Sequence, residues 1–256
     1  MYNARLVDPL EPYYDIACAA AGFSSPASFR FYLDRLFGGI AFTDKRVLDI
    51  GGGSGAYSFY AAAAGAKDVV CLEPVAAGAP AGITTGFQSL HARLPFLGNV
   101  RLEPTTLQSF EPRGLTFDVI IMHASINHLD EDACVHLLDD EGARGRYRAV
   151  FRKIALLSSP GARLVAVDCS RYNFFALLGL RNPFSPDIEW HKHQSPHVWA
   201  RLLAETGFVN PRITWNNRRM RNAAVRLLLG NRVASYFQSS QFCLRMELPG
   251  RSDAPG

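Results

Sequence analysis

The segment best suited to chemistry has an acid and three glycines at every second position. Asp49, Gly51, Gly53 and Gly55 lie at the end of the apolar run 46–50 and directly before a second apolar stretch. Glycine lets the backbone approach a ligand closely, and a helix that begins after Gly55 would direct its free N–H groups toward the same place. A strand, a glycine-rich turn and a helix in this order predict a site for a nucleotide-type cofactor.

The spacing of the glycines separates two kinds of cofactor. A dinucleotide site has the pattern G-x-G-x-x-G, whereas here the glycines occupy every second position and position 56 is alanine. The segment from Asp49 to Gly55 resembles the first motif of the class I S-adenosylmethionine (SAM)-dependent methyltransferases, E/D-x-G-x-G-x-G. This resemblance implies that SAM is the cofactor, bound by Asp49, Gly51, Gly53 and Gly55, and disfavours a nicotinamide oxidoreductase.

The resemblance continues downstream at the family's intervals. The apolar run 68–72 ends in Glu73 and Pro74, where the family places the carboxylate that binds both ribose hydroxyls of SAM. At Thr106 and Leu107 the family often has D-A-x-x-L, whose acid accepts a hydrogen bond from the adenine amino group. Because Thr106 replaces that acid, the resemblance implies only a position beside the adenine edge for Thr106 and Leu107.

Methyl transfer needs a base when the acceptor is a hydroxyl or a protonated amine, and histidine is the usual base near neutral pH. His128 matches the second position of the family's frequent H-H-x-x-D stretch. Asn127 replaces the first position, which is the base in many plant-type O-methyltransferases. We therefore expect His128 to be the leading candidate for the base, with Asp130 close enough in sequence to orient it.

Three further histidines are candidates. His123 is expected to line the methionine end of SAM, while His191 and His193 lie in an aromatic and proline-rich stretch where such enzymes carry an acceptor-binding lid. For any one of them, a hydrogen bond to backbone is an equally good interpretation. No spacing is diagnostic of a metal site, and we expect no metal, although four residues are of ligand type: Asp168, His123, His128 and Asp130.

These residues come together only if the chain forms a parallel sheet. Residues 45–168 alternate apolar runs with helical stretches, which indicates an α/β fold. The resemblance implies a Rossmann-like, doubly wound, seven-stranded and mostly parallel sheet with an antiparallel last strand. We predict one methyltransferase domain over 1–256, made of an N-terminal helical cap (1–44), the SAM-binding half (45–168), an acceptor lid (169–197) and a C-terminal part with a helix, strands and a basic arm (198–256).

Local signals place several of these elements. Ser-Pro pairs at 25–26 and 195–196 predict helix starts, and the last two strands are expected at 212–215 and 241–248. Each pair offers a serine as N-cap and a proline in the first turn, where its missing N–H costs no hydrogen bond.

Composition is that of an ordinary enzyme domain. The chain has 256 residues, of which 48% are hydrophobic, enough for one α/β domain with a modest insertion. Its odd number of scattered cysteines, without a C-x-x-C pair, suggests reduced thiols in a cytosol. The N-terminus has no signal-peptide core, and no stretch approaches the roughly 18 apolar residues of a membrane span. We expect a cytoplasmic protein.

Positive charge is concentrated near the C-terminus. Residues 206–246 contain no Asp or Glu and seven arginines, which we call the basic arm: Arg212, Arg218, Arg219, Arg221, Arg226, Arg232 and Arg245. A solvated basic helix is one interpretation. The other is a landing site for an anionic acceptor or peripheral contact with the inner membrane surface. Nucleic acid is less favoured because no aromatic-interleaved basic motif is present.

The sequence thus predicts a SAM-dependent methyltransferase of EC 2.1.1 type that acts on a small molecule or glycan. The basic arm and the aromatic stretch favour O-methylation of a polar, anionic or lipid-linked sugar-type acceptor. The alternative is a non-catalytic SAM-binding regulator or partner subunit, since the catalytic base has more than one candidate. The sequence makes no prediction of oligomeric state.

Overall fold

The computed structural model describes residues 8–74, 82–216, 225 and 228–250. Within them the chain forms one seven-stranded sheet. Its strands are β1 (Arg46–Ile50), β2 (Asp68–Leu72), β3 (Val100–Glu103), β4 (Phe117–His123), β5 (Ser158–Cys169), β6 (Val209–Trp215) and β7 (Gln241–Glu247).

The strand order is β3-β2-β1-β4-β5-β7-β6. The pairs from β3 to β5 are all parallel, while β7 is antiparallel to both β5 and β6. This topology confirms the predicted Rossmann-like α/β fold with an antiparallel last strand. The chain reverses its direction of winding between β1 and β4, and ligands of such sheets bind beyond the carboxyl ends of the strands at that point.

Nine helices are described for these parts of the chain, together with two 3₁₀ turns at Ile126–Leu129 and Trp190–Lys192. The helices are α1 (Leu10–Ala17), α2 (Pro26–Phe37), α3 (Ala56–Ala63), α4 (Gly82–Arg93), α5 (Glu131–His136), α6 (Glu141–Leu157), α7 (Phe174–Leu177), α8 (Pro196–Ala204) and α9 (Arg232–Tyr236).

Both Ser-Pro pairs begin helices as predicted. The Ser25 hydroxyl accepts a hydrogen bond from the Ser28 backbone N–H at 3.3 Å at the start of α2. The Ser195 hydroxyl accepts one from the Val198 N–H at 3.4 Å at the start of α8. Each cap satisfies one of the free donors of the first turn, so these two helices begin where the local sequence directs them.

The core has one layer on each face of the sheet. Helices α1 to α4 cover one face and α5, α6 and α8 cover the other. Helix α1 had no clear sequence signal, and it reaches the site: the fully buried Tyr13 donates a hydrogen bond to the Ala56 carbonyl at 2.7 Å. The N-terminal helices therefore rest against the start of α3, directly after the glycine turn.

Several sequence predictions differ from the structure or fall outside it. Strand β6 begins at Val209, three residues before the predicted start. Of the basic arm, Arg218, Arg219, Arg221 and Arg226 lie outside the described residues. The division of the domain into four parts stays a prediction.

All five cysteines lie in the described parts, and none forms a disulfide. None of the helices described for this chain is both long and apolar enough to cross a membrane.

The predicted lid segment is attached to α9 through two buried asparagines. The Asn173 side-chain amide donates to the carbonyls of Tyr236 and Gln238 at 3.0 and 2.9 Å. Asn182 in turn donates to the Asn173 side-chain oxygen at 3.1 Å. Because both amides are fully enclosed, their bonds hold this stretch in a defined position against the C-terminal part.

Candidate functional site

The glycine turn connects β1 to α3 through a left-handed backbone that glycine adopts at little cost. Gly51, Gly53 and Gly55 all have positive φ angles, of 68°, 56° and 78°. A Cβ on Gly51 would lie 2.5 Å from that of Ser125, and one on Gly55 would lie 2.6 Å from the ring of Phe87. A Cβ on Gly53 would meet open space. Two of the glycines are therefore required by packing, and Gly53 is favoured by its positive φ alone.

A cavity of about 220 Å³ opens beside this turn, at the carboxyl ends of β1, β2 and β4. Half-buried Glu73 stands in its wall, and its Oε2 accepts a hydrogen bond from the Gly53 N–H at 2.8 Å. The predicted residues that line the cavity are Gly51, Glu73, Pro74, Thr106, Leu107 and His128. The fold thus brings the carboxylate predicted for ribose and the residues predicted for adenine to one surface.

Asp49 does not line this cavity but lies beneath the turn. It is fully buried, and its Oδ2 accepts a hydrogen bond from the Ser58 hydroxyl at 2.7 Å. A Cβ on Gly52 would lie 2.8 Å from that same oxygen. Burial, together with the nearby charge of Glu73, raises the pKa of Asp49 to about 7 against the opposing effect of the Ser58 hydrogen bond. Asp49 therefore supports the turn from below.

This raised pKa predicts a pH-dependent stability in ligand-free protein. A carboxyl whose folded pKa exceeds its unfolded value contributes stability that is complete below about pH 4 and is lost as the pH rises toward 7. Asp49→Asn should remove this decline in the free energy of unfolding. The decline is on the order of a few kcal/mol, because one pKa unit is worth about 1.4 kcal/mol. Unfolding in denaturant at several pH values measures this pH dependence of stability. Asp139→Asn, at an exposed site, is the control. If the free energy of unfolding had the same slope against pH in Asp49→Asn and the parent, the prediction would be wrong.

His128 lies at the mouth of the same cavity, beside Leu129 and across from Thr106. Its side chain is 53% exposed, and its Nδ1 lies 2.6 Å from Glu131 Oε1. The prediction that Asp130 orients His128 is wrong, because Asp130 caps α5 by accepting from the Ala133 N–H at 3.0 Å. The contact with His128 lowers the pKa of Glu131. His128 is thus near the predicted adenine end and open to solvent.

His193 is held by a buried carboxylate. Its Nδ1 lies 3.0 Å from Oδ1 of Asp168, and the two side chains are only 13% and 1% exposed. Asp168 Oδ1 also accepts from the Cys169 N–H at 2.7 Å, and its buried Oδ2 has no hydrogen-bond partner among the described residues. A carboxylate on Nδ1 sets the tautomer and ring orientation, and it directs the Nε2 lone pair away from itself. We call these two residues the His–Asp pair.

Strand register places Asp168 at the same edge of the sheet as the glycine turn. Asp49 pairs with Ile121 across β1 and β4, and His123 pairs with Val167 across β4 and β5. Asp168 therefore lies at the carboxyl edge of the sheet, two strands from the end of β1. With about 4.8 Å between neighbouring strands, this separation is about 10 Å.

His123 contacts two tyrosines from different parts of the chain. Its Nε2 lies 2.8 Å from the Tyr32 hydroxyl and 3.0 Å from the Tyr57 hydroxyl. The rings of Tyr57 and His123 also stack, with centroids 4.1 Å apart. Tyr57 is two residues past Gly55, so His123 lies next to the start of α3. Its expected position at the methionine end of SAM stays a prediction.

His191 is exposed on the 3₁₀ turn that precedes His193. Although the two histidines are neighbours in sequence, only His193 is turned toward Asp168. In the described residues, no group of three or more His, Cys, Asp and Glu side chains is arranged to hold a metal ion.

Sequence reasoning missed several residues that shape the site. Ser125 donates to the Ile50 carbonyl at 2.6 Å and packs against Gly51, and no sequence signal marks it. Tyr57 could have been found from its place in the first turn after the glycines. Tyr32 could not, since it is 91 residues from His123.

A comparison with protein families matches residues 28–212 to a family described as a methyltransferase domain. The chain belongs to this methyltransferase family. SAM is its cofactor, as the glycine motif predicted. Glu73 and Gly51 line the same cavity, and the contacts predicted for them with SAM stay predictions.

The methyltransferase shares its fold with solved structures of low sequence identity. A proposed SAM-dependent methyltransferase of Listeria monocytogenes is 12% identical with a TM-score of 0.55, over 87% of this chain and 98% of the other. A SAM-dependent methyltransferase of Aquifex aeolicus is 13% identical with a TM-score of 0.52, over 80% and 83%. An O-methyltransferase family protein of Burkholderia thailandensis is 14% identical with a TM-score of 0.54, over 87% and 56%. No curated protein sequence matches.

Proposed function

We propose that this methyltransferase transfers the methyl group of SAM to a hydroxyl of a small, anionic, sugar-type acceptor, with His193 as the general base. The observation that carries this proposal is the His–Asp pair, in which buried Asp168 lies 3.0 Å from His193 Nδ1. A base of this kind is needed for a hydroxyl acceptor, because a neutral hydroxyl is a poor nucleophile until its proton is removed.

His193 and Asp168 have separate roles in removing the acceptor proton. When bound, SAM supplies a methyl group already activated on a sulfonium sulfur. His193 would donate a hydrogen bond from Nδ1–H to Asp168, and its Nε2 would take the proton of the acceptor hydroxyl as that oxygen accepts the methyl group and S-adenosylhomocysteine is left. The carboxylate of Asp168 then stabilises the imidazolium that forms.

His193 is favoured over His128 because of where each imidazole lies. His128 lines the cavity together with Thr106 and Leu107, the residues predicted for adenine. Its Nδ1 also pairs with the exposed Glu131. Adenine and the transferred methyl group are at opposite ends of SAM, so a base at the adenine end could not reach the reacting oxygen. His128 stays the second candidate.

The anionic character of the acceptor is supported by the basic arm. Residues 206–246 carry seven arginines and no acid, so this stretch of the chain contributes a positive electrostatic field. Such a field raises the rate at which oppositely charged ligands arrive. Peripheral contact with an anionic membrane is the second interpretation of the same charge.

A turnover assay tests the proposal. Release of S-adenosylhomocysteine should require an acceptor from the fraction of a small-molecule extract that an anion exchanger retains, and the apparent affinity for that acceptor should fall as salt rises. Exposed charges are screened beyond a Debye length of about 8 Å at 0.15 M, whereas SAM affinity should change little. Reversing Arg218, Arg219 and Arg221 to Glu should reduce acceptor affinity in the same way.

The controls separate the alternatives. Arg152→Glu, an exposed change on α6, is the matched charge reversal outside the basic arm. Association of the parent with anionic vesicles, lost in the triple variant, would support membrane contact instead of acceptor steering. No turnover with any fraction, despite SAM binding, would favour the non-catalytic regulator. A salt-independent acceptor affinity would show that the acceptor need not be anionic.

A further inference from the structure

A second cavity, of about 310 Å³, is walled in part by the segments that follow Asp168 and His193. Ser170 and Ser195 are both in its wall, and they stand two residues beyond Asp168 and His193 respectively. His193 and Asp168 do not themselves line the cavity, but each is followed two residues later by a residue that does. Its volume falls at the lower end of the range for small-molecule sites, about 300 to 1,000 Å³.

The wall of this cavity is mostly apolar and aromatic. Tyr172, Trp215 and Tyr236 contribute to it together with Pro196. Flat apolar rings of this kind pack against the faces of aromatic or sugar rings. The cavity therefore suits a ligand that contains a ring.

Neighbouring residues hold these aromatic groups in place. Arg35 donates to the Trp215 carbonyl at 3.0 Å and to the Asn216 side-chain oxygen at 2.9 Å. The Trp215 ring also packs edge-on against fully buried Phe242. On the other side, the amide of Asn173 holds the Tyr236 carbonyl. The wall is therefore preformed, which lowers the entropy cost of binding.

The polar residues at the rim include an arginine and a histidine. Arg232 and His197 line the cavity, and both are exposed. In the part of the chain that the structure describes, no acidic side chain forms a salt bridge with Arg232. An arginine that is not neutralised, beside an aromatic wall, can bind a phosphate or carboxylate in two-point fashion.

We infer that this cavity is the acceptor site and that it selects a ring compound bearing a phosphate or carboxylate, whose charge binds Arg232 while its ring packs on Trp215. This inference rests on the proposed function, since it assigns the second substrate of the same reaction. It places the anionic group at the α9 side and leaves a ring hydroxyl to face His193. Arg232 then selects the anionic group of the acceptor by direct contact, in addition to any long-range attraction by the basic arm.

Binding of simple probes tests the site without knowledge of the natural acceptor. Calorimetry would compare 2-naphthyl phosphate, its neutral counterpart 2-naphthol, glucose 1-phosphate and inorganic phosphate on the full chain with SAM present. We expect 2-naphthyl phosphate or glucose 1-phosphate to bind more tightly than inorganic phosphate, and whichever of the two is tighter identifies an aromatic or a sugar ring. Arg232→Gln should weaken that probe at least about 10-fold, the lower range for a charged hydrogen bond. Arg232→Lys should recover part of the loss.

The control is Arg201→Gln, an exposed arginine of α8 that does not line the cavity, and it should bind the probes as the parent does. Equal probe affinities for the parent and Arg232→Gln would overturn the inference, as would binding that depends on phosphate alone. Failure of the proposed function is a different result. Probe binding that depends on Arg232, together with turnover that does not need His193, would support this site and reject the assigned base.

Discussion

Replacing His193 with glutamine is expected to lower turnover by about 100- to 10,000-fold, the contribution of a positioned general base. Glutamine retains much of the shape of the imidazole but cannot take the acceptor proton. SAM affinity should stay near the parental value, because His193 does not line the cavity at the glycine turn. Single-turnover rates with saturating SAM, alongside calorimetric binding of SAM, measure both quantities.

Asp168→Asn is the companion variant. It keeps the size of the buried side chain but removes the charge that fixes the imidazole tautomer, so it should lower the rate and displace the pH profile of turnover. A replacement that affected only packing would lower the rate without displacing the profile.

His128→Gln is the matched histidine control, and it should turn over at a rate close to that of the parent. If His128→Gln lost activity and His193→Gln kept it, the base would be His128, and the assignment to His193 would be wrong. Loss in both variants with normal SAM binding would indicate that each imidazole is required.

Glu73→Ala should weaken SAM binding by about 100-fold or more. Two charge-assisted hydrogen bonds to the ribose hydroxyls would be lost, and each is worth about 1.5 to 3 kcal/mol, where every 1.4 kcal/mol is about tenfold in affinity. The Gly53 N–H would also lose its present acceptor, which lies 2.8 Å away. Calorimetry with SAM and with S-adenosylhomocysteine measures the effect.

The matched control is Glu103→Ala. Glu103 is the last residue of β3, the strand next to β2, and it contacts Arg101 instead of the cavity. We expect this variant to bind SAM as the parent does. Undiminished SAM affinity in Glu73→Ala would reject the ribose role, and tighter binding of a nicotinamide dinucleotide than of SAM would contradict the choice of cofactor made from the glycine spacing.

The glycine turn and Glu73 could be predicted from the sequence because their geometry is local. A positive φ is accessible to glycine at little cost, so the spacing of Gly51, Gly53 and Gly55 already defines the turn. An acid directly after an apolar run must appear at the carboxyl end of its strand. The parallel sheet followed for the same reason, since runs of apolar residues that alternate with helical stretches can bury their side chains only with helices on both faces.

One residue predicted to bind the cofactor, Asp49, lies beneath the glycine turn and does not line the cavity. Asp49 belongs to the same motif as the glycines, but strand alternation directs its side chain into the protein, where Ser58 is its partner. The motif identifies the residue type, whereas the direction of the side chain and its raised pKa depend on the neighbouring strand and helix.

Which carboxylate meets each histidine, and whether that carboxylate is buried, was decided only by tertiary structure. His193 and Asp168 are separated by 25 residues and meet at the carboxyl end of β5. His128 has Asp130 two residues away, but the backbone at that point begins α5 and uses Asp130 as a cap, so Glu131 meets the imidazole instead. Sequence spacing determines which residues are near one another along the chain, but the direction of a side chain depends on the element that carries it and on what packs against that element.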